Sequence, residues 1–304
     1  MHYTGEDVKE TAAIGPSYRK ERYLKVWSIL RGSPPTFAGL AIVLCFGLLA
    51  LFAPWIAPYP EDALGQAMDL SAKLSSPSAA HWLGTDELGR DVLSRVIYGT
   101  RLSMGLGVAV TAVTATLGVV LGCLAGYVGG RTDDLIMRAG DILMAIPYML
   151  LVIAIVIATG RGLEKLVLAI SLPWWPWYAR IVRGEVLRIR EEGYVEAARA
   201  VGASKARVLF AHIFPNTLNI VVVQASLQLG RAILAVAAMG FLGLGVQPPQ
   251  VEWGMMVSIG RTYVPTWWWM ASIPGAAIFL LGLGANLLGD GIRDILDPRS
   301  LTHG

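Results

Sequence analysis

Charged residues are scarce in this chain of 304 residues. Asp, Glu, Lys and Arg make up 15% of it and hydrophobic residues 55%, whereas about a quarter of a soluble domain is usually charged. Four runs contain no charged residue at all, namely 33–60, 102–130, 142–160 and 262–289. Because a membrane-spanning helix needs about 20 mostly apolar residues, these runs argue against a soluble protein and predict a polytopic membrane protein.

Cysteines are also few, and the sequence signatures of common catalytic sites are missing. Cys45 and Cys123 both lie inside apolar runs, so they predict neither a disulfide framework nor a cysteine-built metal cluster. The four histidines are scattered without the spacing of metal ligands. The phosphate-binding motif G-x-x-x-x-G-K-[ST], the zinc motif H-E-x-x-H and the nucleophile motif G-x-S-x-G do not occur. We therefore expect neither a metal site nor ATP hydrolysis or other catalysis in this chain.

The apolar runs predict six membrane-spanning helices. The fourth is the least regular, because Pro173 and Pro176 interrupt it. The first apolar run lies behind a long basic segment, which favours an uncleaved span over a signal peptide. Most of the 25 Lys and Arg residues fall in cytoplasmic segments if both termini are inside, which is the orientation that basic residues favour. The six spans cover about 37–56, 103–127, 142–159, 163–181, 218–242 and 273–288.

These spans divide the chain into four parts. A cytoplasmic tail, 1–35, is followed by the first transmembrane helix and an outer loop, 36–100. The core, 101–291, holds five transmembrane helices and a polar cytoplasmic loop, 180–217. A second cytoplasmic tail, 292–304, ends the chain.

The end of the outer loop allows two interpretations. Thr85 is a suitable N-cap, and Asp91 and Arg95 have the spacing of an ion pair on one helix. Hydrophobic residues recur on one face from Leu88 to Val96, which predicts an amphipathic helix at the outer membrane surface. A simple lead-in to the second span fits the same periodicity.

One charge, Arg231, falls well inside a predicted span. A charge in the middle of the membrane is costly, so its side chain should face a cavity or find a partner. The functional hypothesis is that Arg231 lines a solute path and meets a carboxylate or polar group. The alternative is a structural arginine that pairs with backbone carbonyls or reaches an interface. No Asp or Glu is expected in the middle of a span, which weakens the interpretation as a proton-coupled carrier.

The loop 180–217 is predicted to form two short helices. Gly202 is a natural break between them, since glycine readily adopts a left-handed conformation. Ser204 can cap the second helix, which we expect to stop at Pro215. The small residues that follow Glu196 would allow a soluble partner to approach closely. An ordinary amphipathic hairpin on the lipid headgroups also fits the pattern.

The same loop resembles the E-A-A…G…I…P loop of binding-protein-dependent importer permeases. Three further blocks are similar to those of one subgroup, the C-type permease subunit of dipeptide, oligopeptide and nickel ABC importers. They are residues 81–86 with 89–91, residues 241–249, and residues 286–294 followed by 296–299. All four blocks occur in family order over about 36–299. The loop residues that match are Glu196, Ala197, Ala198, Gly202, Ile213 and Pro215.

This resemblance implies an all-α membrane protein with six transmembrane helices and the type I ABC importer permease fold. It implies a multi-pass protein of the cell membrane that acts as one permease subunit of an ATP-driven importer. The implied partners are a homologous permease subunit, two ATPase subunits or domains, and an extracytoplasmic solute-binding protein, without nucleic acid. ATP and Mg would be bound by the ATPase partners, so no cofactor is expected here. The matching loop residues would couple ATPase closure to the spans.

The resemblance says less about the transported substrate than about the transport complex. The subgroup favours di- and oligopeptides, and oligosaccharides or nickel are alternatives for the same machinery. A stand-alone secondary transporter is an alternative of a different class. Fifth spans in this subgroup often carry an acid near Val236, where this chain is apolar, and this departure puts a pathway role for that position in doubt.

Overall fold

A computed structural model describes residues 33–296, and within that range it contains helices and loops without a β-strand. Predictions for residues 1–32 and 297–304, which make up most of both predicted tails, lie outside the described residues. The helices are α1 Pro34–Ile56, α2 Pro60–Ala63, α3 Val92–Val128, α4 Gly130–Ala145, α5 Tyr148–Thr159, α6 Leu163–Arg190, α7 Gly193–Ala200, α8 Lys205–Arg207, α9 Phe214–Phe241, α10 Trp253–Gly260 and α11 Trp269–Leu296. A π-helical turn at Val208–Ile213 joins α8 to α9.

Four helical segments are long and apolar enough to cross a membrane: Pro34–Ile56, Val92–Val128, Lys205–Phe241 and Trp269–Leu296. Helices α4 and α5 together make a fifth candidate if the bent pair counts as one span. Helix α6 has 28 residues, which is long enough to span, but its C-terminal third carries several arginines. The membrane character of at least four of the predicted spans is therefore confirmed, and the count of six stays a prediction.

The predicted third span is not one straight helix. Helices α4 and α5 meet at an angle of 95°, and the break falls within the predicted span 142–159. Ile146 has an extended backbone, with φ −92° and ψ 132°, because the ring of Pro147 disfavours helical geometry in the residue before it. Pro147 then precedes the first turn of α5. The predicted third span, 142–159, therefore contains a sharp bend at this proline.

Helix α6 shows the opposite behaviour. Pro173 and Pro176 were expected to interrupt it, but the helix is unbroken from Leu163 to Arg190. Both prolines are buried. A proline inside a helix loses one hydrogen bond and crowds the preceding turn, and the packing around α6 offsets that cost. The helix also extends nine residues past the predicted end at 181.

The main contact of α6 is with α3, through a row of glycines. Gly118, Gly122 and Gly126 are spaced four residues apart and lie on one face of α3. A Cβ atom at Gly122 would stand 2.7 Å from the carbonyl oxygen of Ala179, and the other two glycines have similarly close neighbours on α6. Small residues with this spacing let two helices in a membrane approach each other closely.

The end of the outer loop, residues 85–91, leads directly into α3 and does not form a separate surface helix. Asp91 is the N-cap of α3, and its carboxylate accepts a hydrogen bond from the backbone N–H of Ser94 at 2.8 Å. Arg95 pairs with Asp86, with Nε 3.4 Å from Oδ2, and not with Asp91. The predicted cap at Thr85 and the predicted Asp91–Arg95 pair were wrong, because the cap position already uses the Asp91 carboxylate. The lead-in interpretation is confirmed.

The segment between α9 and α10 is held by a buried carboxylate. Glu252 is fully buried and accepts hydrogen bonds from the backbone N–H groups of Gly254, at 2.8 Å, and Met255, at 3.0 Å. Ser103 of α3 donates a longer hydrogen bond to the same carboxylate at 3.4 Å. Burial raises the pKa of Glu252. One side chain thereby caps α10 and ties it to α3.

Candidate functional site

The elbow, residues 193–215, begins where α6 ends. The chain turns at Glu192, which has an extended backbone, and enters α7 at Gly193. Gly202 follows α7 with φ +84°, which confirms the predicted left-handed break. The Ser204 hydroxyl then accepts a hydrogen bond from the backbone N–H of Arg207 at 3.3 Å, which confirms the predicted cap.

The second helix of the elbow does not stop at Pro215. The segment Lys205–Phe241 is continuous and passes through the π-helical turn into α9. Pro215 directly follows the π-helical turn, at the start of α9, so the helical winding changes just where a proline would crowd the preceding turn. The expectation that this proline ends the helix was wrong. Residues 180–190, assigned to the first half of the loop, belong to α6.

One side of the elbow is an apolar anchor. Val195 and Ile213 are fully buried and Val208 is 1% exposed. They pack in one cluster with Val186 of α6 and Cys123 of α3. Ile213, one of the residues that match the family motif, therefore packs the elbow against the membrane helices. Because it is fully buried, a partner protein could not contact its side chain.

The other side of the elbow is an exposed face. Glu196, Ala197, Gly202 and Pro215 are exposed, and Ala198 is half-buried. Val201, beside Gly202, is 85% exposed. Sequence reasoning missed it, although its signal was an apolar residue in an otherwise polar segment. Phe210 is also exposed, but it lines a cavity with Val120 and Leu124 of the membrane helix α3.

Polar contacts fix the elbow to the ends of its neighbouring helices. Arg188 of α6 pairs with Glu185 at 2.8 Å and with Glu192 at 2.7 Å, as a spacing of three and four residues allows. Asn216 of α9 donates to the Tyr194 hydroxyl at 3.3 Å and to the carbonyl of His212 at 2.6 Å. A force on α7 would therefore reach both α6 and α9.

A separate cavity of about 440 Å³ contains Arg231. The side chains of Arg231 and Gln228 come from α9, and those of Trp174 and Trp177 from α6, while Tyr148 begins α5. Arg231 is exposed and makes no hydrogen bond or ion pair with any residue of 33–296. The alternative in which Arg231 pairs with backbone carbonyls is therefore not observed within the described range.

The elbow and the cavity are distinct places. Along α9, Arg231 lies about 25 Å from Phe214 at 1.5 Å per residue, so the structure does not bring Arg231 and the motif residues together. Val236 is 1% exposed and packs in the apolar core with Val110 and Val152. Its position away from the cavity agrees with the doubt about a pathway role there. No group of three His, Cys, Asp or Glu side chains suited to a metal ion occurs among residues 33–296.

Two family models match the chain. Residues 118–301 match the model described as binding-protein-dependent transport system inner membrane component. Residues 23–77 match the N-terminal TM domain of oligopeptide transport permease C. The first match includes the elbow and Arg231, and the second includes α1.

Three relatives illustrate the similarity over nearly the full length. The probable D,D-dipeptide transport system permease protein of Escherichia coli K12 is 45% identical over 96% of this chain and 97% of its own length. The di/tripeptide transport system permease protein of Pseudomonas aeruginosa is 42% identical over 95% of both chains. The nickel transport system permease protein of Escherichia coli K12 is 42% identical over 87% of this chain and 94% of its own.

Proposed function

This chain belongs to the binding-protein-dependent transport system inner membrane components, and from that premise we propose that it imports di- and oligopeptides as one of two permease subunits. A peptide substrate is supported by the names of the relatives from Escherichia coli and Pseudomonas aeruginosa. Nickel is a second candidate, because a relative of similar identity serves nickel transport. An oligosaccharide has no comparable support.

The exposed face of the elbow is proposed as the docking surface for an ATPase subunit. The observation that carries this proposal is the division of the elbow into two sides. Ile213 and Val195 are fully buried against α6 and α3, while Glu196, Ala197 and Val201 face outward. A rigid anchor behind an exposed surface lets motion of a docked partner move the helices, with Ala198 and Gly202 permitting close approach.

The remaining partners follow from the same family membership. A homologous permease subunit would complete the solute path, two ATPase subunits or domains would bind ATP and Mg, and an extracytoplasmic binding protein would deliver the solute. This chain itself would hydrolyse nothing. With the elbow on the ATPase side, both termini would lie in the cytoplasm.

Helix α6 is proposed as the sixth span of the type I fold. Its 28 residues would extend about 42 Å at 1.5 Å per residue. Its arginines are compensated by acids of α4, since Arg183 binds Asp133 through two hydrogen bonds of 2.5 Å and Arg180 pairs with Asp141. Paired charges of this kind are the ones that membrane helices tolerate.

The test of the coupling surface uses the complete importer with all partner subunits in proteoliposomes. Glu196→Arg and Ala198→Trp are expected to abolish ATP-driven peptide uptake and to weaken retention of the ATPase subunits. The matched control is Glu164→Arg, an exposed acid at the opposite end of α6, which should leave both unchanged. Normal assembly and normal energised uptake in both elbow variants would refute the docking role.

A further inference from the structure

Two polar side chains of α9, the cation of Arg231 and the amide of Gln228, line the cavity between α4, α5, α6 and α9. Arg231 lies about 15 Å along α9 from Phe241, at 1.5 Å per residue, which is well inside the span. Gln228, three residues earlier on the same face, is 5% exposed. Neither side chain makes a hydrogen bond within residues 33–296. A mostly buried amide without a partner is costly, and so is an unpaired cation inside a span, even one that is open to a cavity as Arg231 is. Both side chains therefore point to a ligand.

The other walls of the cavity are aromatic and apolar. The rings of Tyr148 and Trp174 lie with their centroids 5.3 Å apart, and Trp177 and Pro173 continue the wall along α6. The volume of about 440 Å³ is within the usual range of small-molecule sites, about 300–1,000 Å³. Such walls suit an apolar or aromatic side chain of a ligand.

Among residues 33–296, Arg231 is the one charged side chain that lines the cavity, and no Asp, Glu or His of that range does so. The nearest acid along α4 is Asp141, one helical turn from Met144, and it is already paired with Arg180. The field inside the cavity is therefore positive, which attracts a carboxylate and repels a divalent metal ion.

We propose that this cavity is a carboxylate-recognising site, in which Arg231 binds the free carboxylate of a peptide and Gln228 binds its amide backbone. Tyr148, Trp174 and Trp177 receive an apolar side chain. The planar guanidinium of arginine matches a carboxylate with two parallel hydrogen bonds. The membrane subunit then selects its solute independently of the binding protein. This inference rests on the proposed importer function and narrows its substrate to solutes with a free carboxylate.

Direct binding tests the site without the binding protein. The permease–ATPase complex in nanodiscs is probed by saturation-transfer NMR with the dipeptide Ala-Phe and, separately, with its C-terminal amide. The wild-type complex is expected to give the stronger phenyl signal with the free acid. Arg231→Gln is expected to lower the signal of the acid about tenfold, as loss of a charge-assisted hydrogen bond would, and to remove the preference over the amide.

The matched control is Arg261→Gln, because Arg261 lies over the ring of Phe241 with its guanidinium carbon 5.1 Å from the ring centroid and does not line the cavity. It should keep the wild-type preference. An unchanged preference for the acid in Arg231→Gln overturns the proposal. If that variant fails to assemble, Trp177→Ala leaves the charge in place and is expected to lower the phenyl signal several-fold. An unchanged signal there also overturns it.

Failure of this inference and failure of the importer function give different results. Stimulation of ATP hydrolysis by the peptide-loaded binding protein should persist in Arg231→Gln, while peptide uptake falls. If the wild-type complex shows neither stimulation nor uptake, the importer function for peptides fails. If the wild type transports the peptide and Arg231→Gln transports it equally well, only the carboxylate site fails.

Discussion

Val201 provides a quantitative test of the docking surface. It is 85% exposed, so its truncation should cost the isolated permease little. If an ATPase subunit covers it, Val201→Ala removes two buried methyl groups, each worth about 0.8 kcal/mol. The loss of about 1.5 kcal/mol corresponds to a rise of about tenfold in the Kd of the ATPase subunit. Binding of the purified ATPase to the permease pair in nanodiscs measures this change.

Ile213→Ala supplies the matched contrast. Ile213 is fully buried, so its truncation should lower the unfolding free energy of the permease by about 2–5 kcal/mol, visible as a lower Tm. Val201→Ala should leave that Tm unchanged. The division of the elbow into anchor and docking face is refuted if Val201→Ala binds the ATPase with wild-type Kd, or if it destabilises the permease as Ile213→Ala does.

The row of glycines and the buried carboxylate give two further predictions. Gly122→Ala should destabilise the protein by about 1–3 kcal/mol through overpacking against α6. Gly105→Ala, on the same helix with no neighbour within 4 Å of the added Cβ, should be neutral or stabilise by up to about 1 kcal/mol; equal Tm shifts would contradict the packing argument. Glu252→Ala should cost about 2–3 kcal/mol, since a cap and two buried N–H partners are lost. Because burial raises the pKa of Glu252 above its ordinary 4.5, the folded state holds the proton more tightly, and the contribution of this residue to stability falls as pH rises from about 4.5 through the folded pKa. Tm measured against pH should show that fall in the wild type and a flatter profile in Glu252→Ala.

Local chemistry made the break at Gly202 predictable. A glycine between two helical patterns has a left-handed conformation open to it at no steric cost, and the cap by Ser204 follows from the same kind of short-range rule. The apolar runs likewise located four membrane helices, although α3 begins eleven residues before the predicted 103 and α11 ends eight residues after the predicted 288. These features depend on neighbours in the sequence, which is the information that a single chain provides.

The prolines show where that information ends. Pro147 breaks a span, Pro173 lies within an unbroken helix, and Pro215 sits in the first turn of a helix. Whether a proline breaks a helix depends on how its ring packs against the rest of the fold, and the sequence alone does not show that packing. The two sides of the elbow were hidden for the same reason, since Val201 and Ile213 are both apolar and only the fold distinguishes the exposed one from the buried one.

The π-helical turn at Val208–Ile213 has a mechanical consequence. A π-helical turn in an α-helix accommodates one extra residue, and each residue of an α-helix corresponds to about 100° of rotation at 3.6 residues per turn. If this turn changed to α-helical winding while an ATPase subunit held the elbow in place, α9 would rotate about its own axis by about 100°. Arg231 would swing about a quarter turn around the helix axis, while α9 would shift along that axis by only about 1.5 Å, the rise of one residue.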